Sequence, residues 1–177
     1  MTPTLIKASV AALVLAASAA RAETVEVHAL DLLDNTQDGY CIDISGGQGA
    51  QADPAAGLQG HTCYSPSGEI YVDQGFESEQ FADGLFYMPD FDVCMQPAAV
   101  EEGAALELVS CDGTEAQSFV FSGEGTITPA SATDLCLTLG EDTRTGRSDT
   151  NQIKELTLQT CSEDNAASQV WGFRTAG

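Results

Sequence analysis

Six cysteines, 27 carboxylates and two histidines are the side chains of this chain best equipped for chemistry. A cysteine nucleophile needs an activated thiolate beside a basic group. None of Cys41, Cys63, Cys94, Cys111, Cys136 or Cys161 has that context in the sequence. A Gly-x-Ser-x-Gly nucleophile turn is absent from the sequence. With only His28 and His61, and cysteines even in number, a zinc set is not predicted. Paired carboxylates can cleave glycosides, but among 27 acids such pairs arise by abundance alone. Asp34, Thr36, Asp38 and Gly39 imitate the start of a calcium loop, yet Ser45 stands where its bidentate Glu belongs. An Asx-rich turn before Cys41 is predicted instead. Gly47, Gly49 and Ala52 imitate a dinucleotide fingerprint, but Asp53-Pro54 follows where the helix belongs. These residues predict no enzyme, no metal and no cofactor.

The first residues read as an export signal. Met1 to Lys7 carries one positive charge, Ala8 to Ala20 is apolar, and Ala20-Arg21-Ala22 offers a small-x-small cleavage pattern. The apolar run is shorter than the ~20 residues that cross a bilayer. Residues 1–22 are therefore expected to be removed, leaving a single domain at 23–177 in the periplasm or outside the cell. An uncleaved anchor is the competing reading. After residue 22 there are four basic against 27 acidic residues, a formal charge of −23. That field repels phosphate backbones and anionic lipid, so neither nucleic acid nor a membrane surface is an expected partner. Solubility is its plainest role.

An even set of cysteines in an exported chain predicts disulfides. Six cysteines allow 15 pairings, and counting does not choose among them. Repeats do. Cys41, Cys94 and Cys136 lie in apolar alternating segments; Cys63, Cys111 and Cys161 end strand-like segments. After each second cysteine comes a Gln-x-aromatic triplet: Gln74-Gly75-Phe76, Gln117-Ser118-Phe119 and Gln169-Val170-Trp171. The same order occurs three times, which favours the pairs Cys41–Cys63, Cys94–Cys111 and Cys136–Cys161. Short alternating runs between Gly-, Pro- and Ser-rich turns predict an all-β domain.

Three such repeats resemble the ricin B-type lectins, over roughly Val25 to Phe173. The resemblance implies a β-trefoil of three four-stranded repeats with one disulfide in each. It implies that Phe76, Phe119 and Trp171 are core residues and that the glutamines brace neighbouring turns. It also implies what a sugar-binding repeat carries: a carboxylate two places after the first cysteine, an aromatic two places before the second, and a polar group beside the triplet.

The first repeat has Asp43, Gln59, His61, Asp73 and Gln74 at or beside these positions. Asp43 would accept hydrogen bonds from sugar hydroxyls, and His61 stands where a larger stacking ring belongs. Protonation of His61 would make binding pH-dependent. Tyr64 and Tyr71 flank the region as stacking or core residues. The second repeat has Gln96 and Val109 at the carboxylate and aromatic positions, and the third has Thr138 and Gln159. The resemblance thus implies a carbohydrate-binding protein with one galactose-type site in the first repeat. The alternative is a trefoil that binds or inhibits a protein without taking sugar. A trefoil with no specific ligand is a third reading.

Overall fold

The computed structural model describes residues 23–176; the expected export signal at 1–22 lies outside them. The first repeat is β1 (Thr24–Ala29), β2 (Tyr40–Ile44), β3 (Leu58–Thr62) and β4 (Gly75–Glu77). The second is β5 (Tyr87–Met88), β6 (Val93–Pro97), β7 (Leu106–Val109) and β8 (Phe119–Val120). A short β9 (Glu124–Gly125) precedes the third repeat: β10 (Thr128–Pro129), β11 (Leu135–Thr145), β12 (Gln152–Thr160) and β13 (Trp171–Arg174). The second and third strands of every repeat form an antiparallel hairpin. This is the all-β trefoil that the repeats imply, and the three disulfides join Cys41–Cys63, Cys94–Cys111 and Cys136–Cys161.

The chain closes on itself. β1 pairs with β13, Ala29 facing Trp171 in register. Buried Glu26 on β1 meets Arg174 on β13, Nε to Oε1 2.6 Å, and also accepts from the Ser65 backbone and hydroxyl. Phe76, Phe119 and Trp171 are all buried. Phe86 bridges two of them edge-on, with centroids 6.0 Å from Phe76 and 5.5 Å from Phe119. Trp171 donates its indole N–H to the Leu137 carbonyl at 2.9 Å, which removes the cost of burying that donor.

The glutamines of the triplets repeat one geometry. Gln74 Nε2 donates to Thr62 O at 3.1 Å, and its Oε1 accepts from Tyr64 N–H at 3.3 Å. Gln117 does the same with Ser110 O and Asp112 N–H, at 2.9 and 3.0 Å. Gln169 does it with Thr160 O and Ser162 N–H, both close to 3 Å. Each amide therefore spans the second cysteine of its repeat. Backbone groups at that turn have no ladder partner, and burial without one costs free energy.

Threefold symmetry is broken at the third repeat's hairpin. β11 and β12 are the longest strands, and β12 adds to the first repeat's sheet by pairing with β3, Ile153 opposite His61 and Lys154 opposite Gly60. A Cβ at Gly60 would stand 2.2 Å from Leu139 Cδ2, so any larger residue there would require the leucine to move. Thr62 Oγ1 fastens it by donating to Thr150 O and accepting from Gln152 N–H, both at 2.9 Å. Lys154 is buried, 3.3 Å from Asp34 and over the Tyr40 ring. Every residue of β2 and β3 is buried.

Replacing Gln169 by Ala strands the Thr160 carbonyl and the Ser162 N–H. Urea unfolding should show a loss of about 3 kcal/mol, from two or three groups at ~1–3 kcal/mol each. A variant as stable as the parent would refute the bracing role.

Candidate functional site

Four of the five residues singled out from the sequence meet. Asp43, Gln59, His61 and Asp73 line one open cavity of about 440 Å³. Strand geometry explains this. Gln59 and His61 are two apart on β3 and share a face, and Asp43 on β2 lies opposite Gln59 in register. Gln74 does not line the cavity. It stands behind Asp43, fully buried, donating to Asp43 Oδ2 at 3.0 Å. Its remaining amide groups serve the turn described above, so it positions the carboxylate.

Asp43 is only 2% exposed. Gln59 Nε2 donates to its Oδ1 at 3.1 Å, leaving further lone pairs on a carboxylate that can accept about four bonds. Burial pushes its pKa up to about 7; the charge of Asp73 adds to this, while Gln59 and Gln74 oppose it. Asp73 comes from the single turn Val72–Gln74. Its Oδ2 accepts the Gly49 N–H at 2.8 Å, and its Oδ1 is buried with no protein partner. A Cβ at Gly47 would fall 2.5 Å from Asp73 Oδ2 and 2.9 Å from Ile44 O. The glycine run that imitates a nucleotide fingerprint is thus a seat for Asp73. The stretch imitating a calcium loop is likewise structural: Asn35 donates to Gly39 O and Thr62 Oγ1, both at 3.0 Å.

His61 bonds through Nδ1 to the Thr62 carbonyl at 3.0 Å, which requires a proton on Nδ1. Burial lowers its pKa. It is therefore neutral near pH 7 and offers Nε2 as an acceptor. Asp43, not His61, is the cavity group whose titration is displaced toward neutrality. The flat apolar face is supplied further along the wall. His61 leans on Tyr64 at 5.3 Å between centroids, and Tyr64 meets Tyr71 edge-on at 4.6 Å. Tyr71 is 52% exposed, with its ring available to a ligand. Burial, more than the nearby carboxylates, pushes the Tyr64 hydroxyl up to about 12, so it remains a donor.

The opposite wall comes from the third repeat. Arg144, Arg147 and Asn151 of the β11–β12 hairpin line the same cavity. Arg144 donates to Gln59 Oε1 at 2.9 Å, which completes a chain from Arg144 through Gln59 and Asp43 to Gln74. None of these three carries a repeat motif. The two arginines have a signal in charge alone: with Lys154 of the same hairpin they are three of the four basic residues after residue 22; Asn151 has none. In the other repeats the carboxylate position is occupied differently. Gln96 donates to Glu107 at 3.1 Å, and Thr138 donates to its own strand at Cys136 O while accepting from Gln169.

A family model described as the ricin-type beta-trefoil lectin domain matches residues 84–177, more than half of the chain. The chain belongs to the ricin-type β-trefoil lectin family. Solved structures agree on the fold. The mdaA-1 domain superposes with a TM-score of 0.60 at 16% identity, over 94% of this chain and 98% of that one. The agglutinin from Abrus precatorius gives 0.57 at 18%, over 90% of this chain and 51% of that one. The C-terminal domain of an earthworm lectin, a mutant in complex with 6'-sialyllactose, gives 0.56 at 19%, over 86% and 98%. No curated protein matches the chain significantly. The family match begins at Gly84, after the first repeat, so Asp43, Gln59, His61 and Asp73 lie outside it, while Arg144, Arg147 and Asn151 on the same cavity lie within it.

The raised pKa of Asp43 links the site to stability. The unfolded carboxyl ionises near 3.8, the folded one near 7. Between those values the folded state holds the extra proton, so this contribution is full below pH 4 and is lost as pH rises to about 7. Its scale is roughly 4 kcal/mol. The stability of wild type minus that of Asp43→Asn, from urea titrations, should fall between pH 4 and 7 and then level off. A difference independent of pH would contradict the buried carboxyl.

Proposed function

We propose that this chain is an exported carbohydrate-binding protein with one galactose-type site, in the first repeat, formed by Asp43, Gln59, His61 and Asp73. The observation that carries the proposal is the meeting of two buried carboxylates at an open, aromatic-walled cavity, one of them with an unpartnered oxygen. Paired sugar hydroxyls supply the donors such acceptors require. The C–H face of a pyranose suits the Tyr64–Tyr71 wall, and Tyr71 takes the stacking role that His61 only borders. Gln59 orients Asp43 while its own oxygen is held by Arg144.

Binding is the whole activity proposed. His61 spends its Nδ1 proton on a carbonyl. Three disulfides suit an oxidising compartment, the periplasm or the exterior. Among the described residues no helix is long and apolar enough to cross a membrane. A single shallow site gives weak affinity, and clustering of copies on a glycan surface would raise it.

Ionised Asp43 accepts hydroxyls more strongly than its neutral acid does. Affinity for galactosides, measured by calorimetric titration, should therefore weaken as pH falls below about 7, by at most tenfold per unit. Asp43→Ala and Asp73→Asn should each abolish measurable binding, and Tyr71→Ala should weaken it about tenfold. Binding to no glycan on an array, together with a stoichiometric protein partner indifferent to free sugars, would favour the protein-binding alternative.

A further inference from the structure

The basic residues of this acidic chain are unevenly employed. Arg174 is paired with Glu26, and Lys154 with Asp34 and the Glu141 carbonyl. Arg144 and Arg147 are in no ion pair among the described residues, although 27 carboxylates are available. Both line the candidate cavity together with Asp43 and Asp73. Arg144 is engaged with the Gln59 amide. Arg147 makes no hydrogen bond to any described residue's side chain, and its charge is felt at the Tyr64 hydroxyl. The cavity is therefore dipolar. Hydrogen-bond acceptors sit on the first-repeat side, and guanidinium groups sit on the hairpin side.

Resting on the carbohydrate reading above, we infer that the ligand is an acidic saccharide, whose ring hydroxyls meet Asp43 and Asp73 and whose anionic substituent meets Arg147. A neutral sugar leaves the guanidinium wall unused. A free anion meets two carboxylates with nothing to offer them. A pyranose bearing one carboxylate or sulfate satisfies both walls at once. The planar fork of arginine pairs with either group in bidentate fashion. The remote charge of the chain opposes an anion only weakly in physiological salt, because screening acts beyond about 8 Å, whereas the Arg147 contact is local.

The test is calorimetric titration of the full chain at pH 8 and 0.15 M salt, where Asp43 is ionised. The probes are methyl β-galactoside, the corresponding methyl galacturonide, and galactose 6-sulfate. Wild type should bind at least one acidic probe about fivefold to tenfold more tightly than the neutral one, and which acid is preferred distinguishes carboxylate from sulfate. Arg147→Gln should bring the acidic-to-neutral affinity ratio to about one, and Arg147→Lys should retain part of the preference. Equal affinity of wild type for neutral and acidic probes, or a preference unchanged in Arg147→Gln, overturns the inference and leaves the carbohydrate reading standing. Failure of wild type to bind any of the three overturns the galactose-type reading and this inference with it.

Discussion

A glutamine amide spanning the second cysteine is the interaction on which each repeat turns. The disulfide fixes two strands near one point, but it leaves the chain beyond the second cysteine free to choose its exit. Gln74, Gln117 and Gln169 remove that freedom by bonding the carbonyl before the cysteine and the N–H after it. The aromatic two residues later is then delivered to the core in all three repeats. In the first and third repeats the spare amide hydrogen reaches the residue two places after the first cysteine, Asp43 or Thr138. The brace of the fold and the placement of the Asp43 carboxylate are thus one hydrogen-bonding group, and a change at Gln74 would disturb both.

The second constraint is asymmetric. Three equal repeats would give three equal shallow surfaces. Lengthening of β11 and β12, with Gly60 open beneath them, lays the third repeat's hairpin across the first repeat's sheet. That adds a wall to one surface only. It also desolvates β2 and β3, which raises the Asp43 pKa and lowers that of His61. The hairpin therefore adds a wall to the cavity and supplies the arginines. Lys154, buried against Asp34 and the Tyr40 ring, keeps the hairpin seated.

What the sequence discloses follows the reach of each interaction. Cysteine spacing and Gln-x-aromatic triplets act within a repeat, so they are legible three times over and predict the trefoil and its disulfides. Asp43, Gln59, His61 and Asp73 are legible because each keeps a fixed offset from those landmarks. Gln74 is legible by the same offset, but its burial behind Asp43 is not. The pairing of Ile153 with His61 spans 92 positions and has no local signature. Arg144 and Arg147 are therefore invisible to motif, though their clustering in an acidic chain is visible in composition. The Gly46–Gly49 run reads as a turn; that its backbone seats Asp73 depends on a contact 24 residues away.

Burial of the site carries an opposition that bears on what ligand suits it. Taking Asp43 out of water strengthens each hydrogen bond it makes, since the local dielectric is low. The same burial favours the neutral acid, a poorer acceptor, at and below pH 7. A ligand that donates hydroxyls to Asp43 must therefore supply enough interaction to hold it ionised. Arg144 already acts in that direction, polarising the Gln59 amide whose other end donates to the carboxylate. The first-repeat carboxylates and the hairpin arginines thus place hydrogen-bond acceptors and donors on one candidate site.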